Sequence, residues 1–215
     1  MEIKAYIFDF DYTLGDCTQG IVLSINYGLN QMGYQDADRE DIRKTIGLSL
    51  EETYRVLTSD ENLDKAQEFA GYFIEKADKV MVESATFLPS VLDTLTQIHN
   101  SGCRIGIVTT KFHYRVEQIF EKYNMRHLLD YVIGQEDVIE KKPNPEGLNK
   151  IINLMGLDRE AVLYIGDSIV DAKTAEAAGV KFVAVTTGTT TENEFGKYPN
   201  IGIVGSLDKL LELYP

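Results

Sequence analysis

The chain has 215 residues, enough for one well-filled core or a core with a smaller appended unit. Its 44% hydrophobic and 26% charged content is that of an ordinary globular protein, and its net charge of -13 argues against a nucleic-acid partner, because duplex binding needs basic residues that displace counterions. Cys17 and Cys103 have neither metal-ligand spacing nor a disulfide framework, no apolar run approaches the roughly 18 residues of a membrane span, and no signal-peptide hydrophobic region opens the chain; together these predict a cytoplasmic protein without a membrane partner.

The first element is an apolar run over 5–8 that predicts a buried strand. After Asp16 the period changes. Val22, Ile25, Leu29 and Met32 recur at helical spacing up to Gly33. Asp38 is placed to cap a second helix ending at Gly47, and Ser49-Leu50-Glu51-Glu52 forms a capping box for a third. A long helix over 62–82 carries Leu63, Ala66, Phe69, Phe73 and Ala77 along one face. Residues 17–83 therefore read as an all-helical unit inserted after the first strand.

From Pro89 the pattern alternates. Helices are predicted over 89–100, 114–123, 146–155 and 168–178, and strands over 104–108, 131–133, 161–165 and 181–185. Residues 186–199 read as a polar loop, with a last strand over 201–204 and helix over 207–213. This order predicts an α/β, Rossmann-like parallel sheet with helices on both faces, made of residues 1–16 and 84–215.

Ligands of open α/β sheets bind beyond the carboxyl ends of the strands, so the polar residues just past each strand are the candidates. They are Asp9 and Asp11, Thr109 and Thr110, and Gly166 and Asp167 with Asp171 one turn on, while Lys141 and Lys142 lie in a proline-bounded loop. Asp9 and Asp11 would point to one side of the strand end and repel if both were charged. That makes chemical sense where a cation holds one carboxylate and the other keeps a proton, the equipment for attack on phosphorus.

Four segments in order, DFDYTLGD, IVTT, KKPNPE and GDSIVD, resemble the four motifs of haloacid-dehalogenase-superfamily phosphatases with a helical cap inserted after the first motif. Within that superfamily the chain is most similar to phosphoglycolate-phosphatase-like and pyrophosphatase-like members. The resemblance implies that Asp9 is the nucleophile and Asp11 the acid and then base. It also implies that Thr109 binds a phosphoryl oxygen and Lys142 offsets charge. Mg2+ would be held by the Asp9 carboxylate, the Asp11 carbonyl and Asp167, with Asp171 touching it directly, through water, or serving only its helix.

Thr110 and Tyr12 are expected near the substrate, Tyr12 standing where the family usually has glycine, and Arg43 and Gly47 are the cap residues expected to reach its far end. Thr13 reads as a turn-former orienting Asp11, Lys141 as a solvated neighbour, and His99, His113 and His127 as residues outside any metal site. The implied function is hydrolysis of a small phosphorylated metabolite by a monomer or homodimer. A β-phosphoglucomutase-like phosphomutase, an inorganic pyrophosphatase and a nucleotidase are the alternatives. A dehalogenase would not use Asp11, and a non-enzymatic binding module would have lost one of Asp9, Asp11, Lys142 or Asp167.

Overall fold

A computed structural model describes residues 2–213; Met1, Tyr214 and Pro215, which close the ends of the expected core segments, lie outside them. The strands are β1 (Ala5–Phe8), β2 (Gly15–Asp16), β3 (Thr86–Phe87), β4 (Arg104–Val108), β5 (Tyr131–Ile133), β6 (Val162–Gly166), β7 (Lys181–Val185) and β8 (Gly202–Val204). The helices are α1 (Thr18–Gln31), α2 (Arg39–Thr45), α3 (Leu50–Thr58), α4 (Leu63–Ser84), α5 (Val91–Asn100), α6 (His113–Lys122), α7 (Glu146–Met155), α8 (Ile169–Ala178), α9 (Glu192–Phe195) and α10 (Asp208–Leu213).

Six strands form one parallel sheet in the order β5-β4-β1-β6-β7-β8. The chain starts in the middle, builds outward through β4 and β5, then returns to the other side of β1 through β6. This reversal makes a topological switch point at the carboxyl end of β1, where such sheets open a crevice for ligands. The register sets Ile7 beside Gly106 on one side and Tyr164 on the other, so the ends of β1, β4 and β6 come together.

All four residues of β1 are buried because the strand is both central and covered on two faces. Ala5 and Ile7 join a core cluster with Leu148, Ile151 and Ile152 of α7 and Ala172 and Ala175 of α8. Tyr6 and Phe8 point to the other face and are buried as well.

The chain divides into two compact units, one running up to Gly15 and resuming at Phe87, the other spanning Asp16–Thr86. The second is helical. Asp38 caps α2 by accepting from the Glu40 N–H at 2.8 Å, Ser49 and Glu52 cap α3 reciprocally, and Asn62 caps α4 through the Lys65 N–H at 3.1 Å. Within this unit α1 and α4 pack closely because α1 carries glycines where they meet. A Cβ on Gly20 would stand 2.6 Å from Ser84 Oγ, and one on Gly28 would stand 3.0 Å from the Phe69 ring.

Three local expectations change. The α5 helix begins at Val91, because Ser90 adopts a left-handed conformation (φ 65°) and lies before the first turn. The polar stretch 186–199 contains α9, a helix of four residues, too short for periodicity to reveal, opened by a Thr191–Glu194 capping box and burying Phe195. The two-residue strands β2 and β3 pair in a ribbon of their own and were equally invisible to pattern. No helix among the described residues is long and apolar enough to cross a membrane.

Candidate active site

Asp9 is the first residue past β1, and its backbone N–H continues the ladder to Ile165 O at 2.9 Å. The chain then winds tightly. The N–H groups of Thr13, Leu14 and Gly15 all donate to Phe10 O, at 3.3, 2.9 and 2.9 Å, and Tyr12 N–H donates to Gly15 O at 2.7 Å. Tyr12 takes a left-handed conformation to make this turn (φ 59°), a geometry in which a glycine carries no steric cost. Its carbonyl accepts a hydrogen bond from the Thr187 hydroxyl, in the loop after β7.

Asp9, Asp11, Thr109, Asp167, Asp171 and Lys142 are all brought to this rim. Asp9 is 4% exposed and Asp171 fully enclosed. Lys142 Nζ lies 2.7 Å from Asp9 Oδ1, 2.6 Å from Asp171 Oδ1 and 3.3 Å from the Tyr164 hydroxyl, so each of its three protons has an acceptor. The loop carrying Lys142 is tied down by Glu146, whose two oxygens accept from the N–H groups of Ile139 and Glu140, both at 2.9 Å. Those two bonds hold the Glu146 carboxyl below its ordinary range.

Asp171 uses both oxygens on protein groups. Oδ1 accepts from Lys142 and from Tyr164 at 2.8 Å, and Oδ2 accepts from the Ser168 hydroxyl at 2.5 Å and the Ser168 N–H at 3.2 Å. This places it as the anchor of Lys142 and as the closing acid of the α8 capping box. Thr13, expected to orient Asp11, instead donates to Asp167 Oδ1 at 3.1 Å. The tight turn points its hydroxyl across to the end of β6, the neighbouring strand.

The electrostatics are those of buried acids crowded together. Burial pushes the Asp9 carboxyl up to about 7, with Lys142 pulling against it and Asp171 and Asp11 adding to it. Burial likewise raises Asp167, reinforced by Asp171 and Asp9 and opposed by the Thr13 hydrogen bond. Burial works against the Lys142 ammonium, but Asp171 and Asp9 outweigh it and hold its pKa well above the usual value. Oxygens of Asp9, Asp167 and Asp171 all lie within 4.8 Å of one another, so the cluster can hold a metal ion. The donors are all carboxylate oxygens, which suit a hard cation, and two raised carboxyls are what such an ion would relieve.

Asp11 stands apart from that cluster. Its Oδ2 pairs with Lys111 Nζ at 3.0 Å, while its Oδ1 is buried with no hydrogen-bond partner. Thr109 Oγ1 accepts from the Lys111 N–H at 3.2 Å, which leaves its own proton to donate. Thr110 is half-buried and lines a small cavity with Gly134, Gln135 and Lys142. Arg43 and Gly47 lie in the helical unit. Arg43 pairs with Glu40 at 3.0 Å, and Gly47 adopts a left-handed φ of 98° with open space at its Cβ position.

Several residues of the site and its surroundings lie outside the four motifs. Lys111 was findable, being the first charged residue past β4. Tyr164 looked like one more apolar strand residue, and only the fold turns its hydroxyl toward Asp171. Gly188 had no local mark, yet a Cβ there would stand 1.9 Å from Asp167 Oδ2. His113 proves to be paired with Asp137 at 2.8 Å and Glu136 at 3.2 Å, in a half-exposed group that ties the start of α6 to the turn after β5.

Known proteins match the chain in sequence and in fold. A family model described as haloacid dehalogenase-like hydrolase matches residues 6–185. A phosphoglycolate phosphatase of Aliivibrio fischeri is 29% identical over 87% of this chain and 86% of its own. The pyrophosphatase PpaX of Bacillus mycoides is 31% identical over 86% and 84%. A haloacid dehalogenase-like protein from Bacteroides fragilis superposes with a TM-score of 0.94 at 41% identity, covering 97% of this chain and 100% of its own. The family that the four motifs resembled is thus the family found, and the chain belongs to the haloacid dehalogenase-like hydrolases, with phosphatases among its relatives.

Proposed function

We propose that this enzyme is a Mg2+-dependent phosphatase of small, phosphoglycolate-like phosphomonoesters that works through an aspartyl-phosphate on Asp9. The observation that carries this reading is the division of labour between two neighbouring acids. Asp9 sits with Lys142 among the metal-competent carboxylates, while Asp11 sits outside them with one oxygen unpartnered.

In the first half-reaction an Asp9 oxygen attacks phosphorus, the bond from phosphorus to the ester oxygen breaks, and Asp11 gives its proton to that oxygen. In the second, Asp11 takes a proton from water, the water oxygen bonds to phosphorus, and the bond from phosphorus to Asp9 breaks to release phosphate. Thr109 donates to a phosphoryl oxygen, and Lys142 keeps Asp9 oriented and offsets charge as it develops. Asp9, Asp167 and the Asp11 carbonyl would hold the ion, with Asp171 behind them. Mg2+ when bound supplies the positive charge that lets Asp9 ionise beside the phosphoryl group. The free Asp11 oxygen suits a group that exchanges a proton with a leaving oxygen.

The similarity to a pyrophosphatase PpaX favours a second reading, in which the leaving group is phosphate itself. One experiment addresses both: phosphate release from p-nitrophenyl phosphate, phosphoglycolate and pyrophosphate, with and without Mg2+, by the native enzyme and Asp9→Asn. Mg2+-dependent release by the native enzyme and none by the variant is expected. Retained turnover in Asp9→Asn would overturn the mechanism.

A further inference from the structure

We propose that Lys111 makes the site selective for phosphate compounds whose leaving group carries its own anion close to the ester oxygen. The inference rests on the phosphatase reading above and adds to it the residue that chooses among substrates.

Lys111 is a buried lysine that the charge balance around Asp9 does not account for. Its side chain is 5% exposed, and its ammonium is 3.0 Å from Asp11 Oδ2. Lys142 already serves the nucleophile side, with its three protons on Asp9, Asp171 and Tyr164. Lys111 therefore belongs to the leaving-group side. Its backbone is fixed from two directions, its N–H donating to Thr109 Oγ1 at 3.2 Å and its carbonyl accepting from the Gln135 N–H at 3.1 Å. A lysine root held that firmly confines the ammonium to the neighbourhood of Asp11.

Asp11 is the link between this cation and the chemistry. One of its oxygens is on Lys111, and the other is buried without a partner. A leaving oxygen served by that second atom lies one carboxyl group and two hydrogen bonds away from the ammonium. An anion attached to the leaving oxygen directly, as phosphate in pyrophosphate, or through one carbon, as carboxylate in phosphoglycolate, comes within reach of Lys111. A neutral alcohol leaving group offers it nothing. A charge-assisted hydrogen bond in a site shielded from water is strong enough to decide between such substrates.

The test compares kcat/KM for phosphoglycolate, pyrophosphate and 2-hydroxyethyl phosphate, the last being the neutral counterpart of the first, in the native enzyme, Lys111→Met and Lys111→Arg. The native enzyme is expected to prefer one of the anionic compounds over the neutral ester by about tenfold or more. That preference should shrink about tenfold in Lys111→Met and return largely in Lys111→Arg. Whichever anionic substrate loses its advantage identifies the source of the anion. A preference unchanged in Lys111→Met, all substrates falling together, would mean that Lys111 only steadies Asp11, and would overturn the inference. Should the Met variant not fold, a native enzyme that takes the neutral ester equally well overturns it alone. Calorimetric binding of phosphoglycolate and its neutral counterpart to Asp9→Asn, with and without Lys111→Met, reads the same preference without turnover. Hydrolysis without anionic preference defeats this inference and spares the phosphatase reading; no hydrolysis of any compound, p-nitrophenyl phosphate included, defeats both.

Discussion

Lys142 and Asp171, 29 positions apart in sequence, meet at 2.6 Å with side chains 6% and 0% exposed. The same ammonium reaches Asp9 Oδ1 at 2.7 Å. One cation thus joins the residue read as nucleophile to an acid that has no free oxygen of its own, and the position of the reactive carboxylate depends on both.

Lys142→Met should therefore cost stability as well as activity. Removing one member of a buried ion pair leaves the others uncompensated, at about 3–5 kcal/mol, and loss of a charge-stabilising group at a reacting centre lowers kcat by about 100- to 1000-fold. Urea unfolding and phosphate release check the two separately. A stable but inactive variant would mean that Asp9 and Asp171 shed their repulsion by taking up a proton.

The raised Asp9 carboxyl gives a pH-dependent stability. Its folded value of about 7 exceeds the ordinary 3.8, so the favourable contribution of the protonated form is complete below the unfolded value and is lost as pH rises toward 7. Without divalent cations, Asp9→Asn should be more stable than the native protein at pH 8, by on the order of 4 kcal/mol, and the advantage should vanish near pH 4. Thermal unfolding across that range measures it, and an advantage that ignores pH would count against the assignment.

Thr13 donates to Asp167 Oδ1, a bond expected to orient that carboxylate for a cation. Thr13→Val should weaken Mg2+ binding by about 10- to 100-fold, as the loss of groups behind metal ligands commonly does, with little change in unfolding. Calorimetric titration with Mg2+ reads it directly.

Gly188 should tolerate no side chain. A Cβ there would overlap Asp167 Oδ2 at 1.9 Å, so Gly188→Ala must displace either the loop after β7 or the carboxylate. The expected result is Mg2+ affinity lowered by about tenfold or more, on the same rule of displaced ligands, and a fall in activity that excess Mg2+ partly restores. Unaltered affinity would show that the loop gives way instead.

Much of this protein is written locally. The strands Ala5–Phe8, Arg104–Val108, Tyr131–Ile133 and Lys181–Val185 and the helix Glu146–Met155 are readable from period and punctuation, because each must bury one face or two and stop at a glycine, a charge or a pair of threonines. The motif residues are readable for a related reason. Asp9, Thr109 and Asp167 each fall just past a strand, and in a parallel sheet all strand ends of one kind share a rim. What period could not show are the pieces too short to have one, such as Glu192–Phe195 and the two-residue ribbon strands.

The chain's sequence by itself determined the order of the longer elements, the family, and Asp9, Asp11, Asp167, Asp171 and Lys142 as candidates at the rim. Only the tertiary structure decided which of them pair. Sheet order puts β1 between β4 and β6, and that adjacency sends Thr13 to Asp167 across 154 positions, Lys142 to Asp9 across 133, and Lys111 rather than Thr13 to Asp11. The physical reason is that hydrophobic period and turn residues are properties of neighbours along the chain, whereas an ion pair is chosen by distance in space, which no spacing along the chain encodes.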